Sequence, residues 1–103
     1  MGAYDIYDIE IDQGGAGTTE LLAAAVGQPF SVVSYFVVLS GAGTFAFSDG
    51  TTWFTGDIPI AANGGVAESG STRDPLFTCG RGKPLRITTV GASAHGRVRV
   101  QLV

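Results

Sequence analysis

Ten consecutive residues, FSVVSYFVVL (30–39), limit what this chain can fold into more than any other feature. β-branched and aromatic side chains fill the run, and both alternating sets are apolar. Phe30, Val32, Phe36 and Val38 are expected on one face, and Val33, Tyr35, Val37 and Leu39 on the other. A strand that is apolar on both faces needs cover on both. In one domain of 103 residues with few helix formers, the second cover is another sheet or another subunit. The run is therefore expected to be a central strand.

The rest of the chain repeats a β grammar, cut by 16 glycines. The stretch SGAGTFAFSDG (40–50) holds Gly41, Gly43 and Ala46 at the G-x-G-x-x-A spacing of a dinucleotide-binding turn. That fingerprint needs a helix, whereas Phe45 and Phe47 alternate at period two and Asp49-Gly50 signals a tight turn before TTWFT. The glycines are read as a hairpin turn. Residues 18–26 are divided between a short helix and a strand, with the strand favoured, and 57–62 form a short strand that Pro59 assigns to an edge or a bulge. Asn63-Gly64-Gly65 is a turn, 66–74 an exposed loop, 75–79 a short strand and 80–83 a turn. In 84–90, Leu85, Ile87 and Thr89 oppose Arg86 and Thr88. In 95–103, Val98, Val100 and Leu102 point inward, and Arg97, Arg99 and Gln101 outward. About eight to ten short strands split by turns imply an all-β fold, a compact antiparallel jelly-roll or β-sandwich over residues 18–103.

Residues 1–17 read as an acidic arm with a glycine-rich hinge. Tyr7, Ile9 and Ile11 alternate with Asp8, Glu10 and Asp12, giving a half-buried strand with a wet face, and QGGAG (13–17) lets it leave the body. These six residues are the expected docking arm. Residues 1–72 hold eight acids and no Lys or Arg; residues 73–103 hold six bases and one acid, within a net charge of −3. Either acidic and basic strands pair across a sheet, or the arm reaches a neighbouring subunit. The acidic balance and the absence of aromatics among the bases speak against nucleic acid. No run approaches the ~18 apolar residues of a membrane span, and no signal peptide is visible, so a soluble protein made in a cytoplasm is expected.

Little in the composition supports catalysis. Cys79, the single cysteine, reads as a buried small hydrophobe. A lone His95 cannot assemble a histidine-rich metal site, and it is read as capping the turn before the last strand. Asp49 and Asp57 are turn residues before they are calcium ligands. No cofactor is expected. Adjacent Trp53 and Phe54 point to opposite faces of a strand, and with Tyr35 and Phe36 they offer more apolar surface than one small sandwich hides. Tyr35, Phe36, Trp53, Phe54, Arg97 and Arg99 are the expected subunit interface, with a sugar-stacking platform at Trp53 as the alternative.

From residue 18 onward the chain resembles a family of small bacteriophage virion proteins. The resemblance is carried by Ala24, Ala25 and Gly27; by Ser48, Gly50 and Thr51; by GDIPIAANGG (56–65), in particular Gly56, Ile58, Pro59, Ile60, Ala61, Asn63, Gly64 and Gly65; by Gly82, Lys83, Leu85 and Ile87; and by Gly96, Val98 and Val100. It implies a trimeric jelly roll that decorates capsids or forms head or tail spikes, with no catalytic residue. The expected function is a non-enzymatic virion protein, a capsid decoration or cement protein or a spike component. Its expected partners are two further copies and the major capsid protein or another virion protein. The alternative is a receptor-recognition module for a host surface glycan.

Overall fold

A computed structural model describes residues 5–23, 29–62, 64–71, 73–79 and 82–102. The described residues form nine strands and no helix: β1 (Asp5–Asp12), β2 (Gly17–Leu22), β3 (Phe30–Leu39), β4 (Gly43–Ser48), β5 (Ile58–Ile60), β6 (Gly65–Ser69), β7 (Phe77–Cys79), β8 (Leu85–Val90) and β9 (Ala94–Leu102). They make two antiparallel sheets packed as a sandwich, one in the order β1-β9-β3-β6 with β7 also on β3, the other β2-β8-β4-β5. The expected all-β sandwich is what the chain forms, with β3 central in its sheet.

The two faces of β3 are divided differently from strict alternation. Val32 lies opposite Val100 and Ser34 opposite Arg99, so Val33 is an extra residue without a partner on β9. This bulge resets the side-chain phase. Phe30 and Val32 before it, and Tyr35, Val37 and Leu39 after it, all enter the core, while Phe36 is turned out and is 52 % exposed. On the other side of β3 the partner changes at the same point, β7 lying along Phe30–Val32 and β6 along Ser34–Val38. The carbonyls freed there are taken by the Gly70 and Leu76 amides, at 2.7 and 2.9 Å.

Facing β3 across the sandwich, Phe45 and Phe47 on β4 and Leu85 and Ile87 on β8 are fully buried. Tyr35 meets Phe47 at 4.9 Å and Phe45 edge-on at 6.1 Å between centroids, and Phe77 links Phe47 to Phe54. Each fully buried ring of this kind stabilises the fold by about 1.5–3 kcal/mol through burial alone.

Four further expectations change. The turn at 40–42 does not close a hairpin; β4 pairs with β8, so the chain crosses from one sheet to the other. Gly43 is needed there because a Cβ would meet the Val90 carbonyl oxygen. The first part of the loop expected at 66–74 is strand β6, whose residues Ala67–Ser69 are exposed because it forms a sheet edge. Gln101 alternates to the outward face as expected, but it is buried there, opposite Ser31 in the middle of its sheet. The segment expected as a free arm is an edge strand: β1 pairs with β9 from Asp5↔Leu102 to Asp12↔His95, and Ile11 is 1 % exposed in the core. Within 18–26, residues 18–22 are strand, and 24–28 lie outside the described residues, as do Asn63 and, in the 80–83 turn, residues 80 and 81.

Gln13, which follows β1, ties the two sheets at one end. Its Nε2 donates to the Gly17 carbonyl and the Thr19 hydroxyl, both at 3.0 Å, and its Oε1 accepts from Thr89 Oγ1 at 2.7 Å and the Ala94 amide at 2.9 Å. Its backbone N–H donates to the Ala94 carbonyl at 3.0 Å. A buried amide with its donors and acceptor engaged holds its neighbours in place instead of destabilising them.

Gly96 adopts φ +146°, and a Cβ there would run into the Phe36 carbonyl oxygen on the adjacent strand. Gly96→Ala should therefore lower stability by at least about 2 kcal/mol, read as a shift in the urea midpoint at unchanged slope.

Candidate functional site

The outward face of the five-stranded sheet carries a row of charged side chains, Asp8, Glu10 and Asp12 on β1 and Arg97 and Arg99 on β9. Cross-strand register sets Asp8 beside Arg99, Glu10 beside Arg97 and Asp12 beside His95. The Asp8–Arg99 pair is two-pronged, Arg99 Nε donating to Oδ1 at 2.9 Å and Nη2 to Oδ2 at 3.2 Å. The Arg99 hydrogen bond holds the Asp8 carboxyl below its usual range, and the same bond raises the Arg99 guanidinium. On the other sheet Arg86 lies 3.7 Å from Glu20. The charge asymmetry between the two ends of the chain is thus met by strands of one chain lying side by side.

Arg97 is different. Among the described residues it makes no hydrogen bond or ion pair, Glu10 opposite included. Beside it Phe36 stands out from β3, and an open trough of about 620 Å³ runs over this face between Asp8, Arg97 and Arg99 on one side and Ala67 and Ser69 on the other. Ser34 and Ser69 face each other across β3 and β6 at its end.

The expected interface residues divide. Phe36, Arg97 and Arg99 meet at the trough. Tyr35 lines it in part, but its ring is in the core and its hydroxyl donates to Glu68 Oε1 at 2.7 Å; burial, then this bond, raises its pKa. Phe54 is half-buried and stacked on Phe77, with centroids 4.7 Å apart. Neither ring is offered to a neighbour, because each has found cover within the sandwich. Trp53 is 59 % exposed and lies on the opposite sheet, in a hollow of about 130 Å³ with Thr18, Thr51 and Arg86. Of the expected docking residues, Ile11 is buried and Ile9 half-buried, while Tyr7, Asp8, Glu10 and Asp12 are exposed on β1.

A polar chain runs along one rim. Asp12 Oδ1 lies 3.1 Å from His95 Nδ1, His95 Nε2 lies 3.1 Å from Ser93 Oγ, and Ser93 Oγ lies 3.0 Å from Ser40 Oγ. The order resembles an acid–base–nucleophile relay. The Ser93 amide also donates to Ser40 Oγ, at 3.1 Å. The chain acts as a clasp between the start of β9, the end of β1 and the turn after β3.

Asp49 closes its own turn. Burial works against its charge, but the Thr52 and Thr51 amides, donating to Oδ1 at 2.6 and 2.9 Å, outweigh it and hold the carboxyl low. Among the described residues there is no group of three or more His, Cys, Asp or Glu placed to hold a metal ion. Cys79 is fully buried, and burial followed by the nearby Asp49 charge pushes its thiol up to about 12. Gln13 and the facing Ser34–Ser69 pair are not visible in the sequence, since both depend on strand register.

No family model matches the chain, and comparison with curated proteins and with solved structures finds no match.

Two measurements check this description. The Cys79 thiol should stay unreactive to a disulfide reagent at pH 8 in the native protein and react on unfolding. A carboxyl held low in the fold contributes stability that is present above its unfolded pKa and is lost as pH falls through the folded one. Asp8 should therefore lose its contribution below about pH 4, and Asp8→Asn should flatten the acid limb of the stability curve.

Proposed function

We propose that this protein is a non-enzymatic structural component of a bacteriophage particle, a trimer-forming capsid decoration or cement protein or a spike component. The observation that carries the proposal is the outer edge of β1. Among the described residues no strand covers it, and Ile6 and Tyr7 on it are 49 % and 47 % exposed. An open edge with apolar side chains on both faces is a template for strand addition by a partner. Because the Gln13 amide points to β9, alternation along the ladder turns the Asp8, Glu10 and Asp12 amides outward, toward that partner. The partner is a virion protein, the major capsid protein first among them.

The strand order supports the jelly-roll reading. One sheet runs 1-9-3-6 and the other 2-8-4-5, so successive strands pass repeatedly between the two layers. Resemblance to small virion proteins over residues 18–103 points the same way. β1 is then a strand of the roll as well as its docking edge, and Trp53 is offered to the neighbouring subunit.

The second reading is a glycan-recognition module of a head or tail fibre. It rests on the exposed indole of Trp53 beside Arg86 and Thr51.

The Glu10→Pro variant removes one outward amide without touching the bonds to β9. It should remain folded and trimeric by mass photometry yet lose attachment to particles. Full occupancy on particles would remove the docking role from β1. Trp53→Ala separates the two readings: loss of the trimer supports the structural one, and loss of glycan binding with assembly intact supports the other.

A further inference from the structure

We infer that the trough on the outward face of the five-stranded sheet binds a pyranose that carries a carboxylate, such as a uronic acid within a surface polysaccharide. Its volume, about 620 Å³, falls among those of small-ligand sites. Arg97 supplies a guanidinium with no hydrogen bond or ion pair among the described residues, and its planar fork matches a carboxylate in two-pronged geometry. Phe36, 52 % exposed and opposite the small side chain of Ala67, supplies an apolar plane with room above it for the C–H face of a sugar ring. The Ser34 and Ser69 hydroxyls, at paired positions and without hydrogen bonds among the described residues, can donate to and accept from ring hydroxyls.

Charge narrows the ligand further. Asp8 and Arg99 satisfy each other, so a dianion such as a phosphate ester meets a single unengaged guanidinium, Arg97, with the Glu10 carboxylate opposite it. A single carboxylate matches the face better. Asp8, already fixed by Arg99, keeps lone pairs free for a sugar hydroxyl. The site shares Asp8 with β1 but opens on the outward face of the sheet, away from Trp53. Its test reads ligand binding by the isolated chain, so it stands or falls apart from the particle reading.

The test is titration of the ¹⁵N-labelled full chain with oligogalacturonate and oligoglucuronate, with their methyl esters as neutral controls and inorganic phosphate as a simple anion. Saturable shifts are expected at 34–36, 67–69 and 97–99 with at least one uronate, with binding about tenfold weaker for its methyl ester. Arg97→Gln, which breaks no intramolecular bond and should melt like the parent, should weaken binding about tenfold; Phe36→Ala should weaken binding of the acid and the ester alike. Absence of saturable binding to both uronates, equal affinity for acid and ester, tighter binding of phosphate, or unchanged affinity in Arg97→Gln would overturn the inference.

Discussion

The extra residue at Val33 is the constraint on which the rest of the sandwich depends. β3 carries apolar side chains in both phases, so hydrophobicity alone leaves its two faces nearly equivalent. The bulge breaks that equivalence. It sends Tyr35, Val37 and Leu39 to the same side as Phe30 and Val32, so the second sheet packs on a continuous apolar face ten residues long. It also leaves Phe36 outside, next to the basic stripe of β9. Core and candidate site are therefore set by one local irregularity.

The second organising contact joins the ends of the chain. β1 and β9 are the first and last strands, yet they lie side by side for eight residue pairs. Acids on one and bases on the other favour this register over a slipped one, because a shift by one residue would turn charged side chains toward the core and apolar ones to water. Exposed pairs of this kind contribute little net stability, so their service is to choose the register. Contacts between the two termini also raise the mean sequence separation, which places the fold among slow-forming topologies.

Fold class, most strand positions and the inward set on β8 were legible from period-two alternation, glycine turns and β-branched content. The bulge was not, because Val-Val inside an apolar run reads identically with or without it. That one residue put Tyr35, and not Phe36, on the face of Phe30 and Val32. β6 was hidden by its polarity, since an edge strand exposed on its rim carries loop-like residues such as Glu68 and Ser69. The free arm was over-read from glycines that follow β1; those glycines make a turn into β2, and Ile11 with Gln13 anchors the strand. Arg97 and Phe36 could be named from the sequence as exposed candidates, but their meeting with Ser34 and Ser69 is a product of register.

Gln13 has a consequence for how the sandwich comes apart. Its side chain touches β2, β8 and β9 from the end of β1, so it belongs to both layers at once. Peeling β1 from its edge would leave Ala94 and Thr89 without their acceptor in a water-poor corner. Separating the layers would break the same bonds. Edge fraying at this end and opening between the sheets are thus one cooperative event, and an edge strand with Ile6 and Tyr7 exposed toward its start is anchored at its end by the heart of the fold.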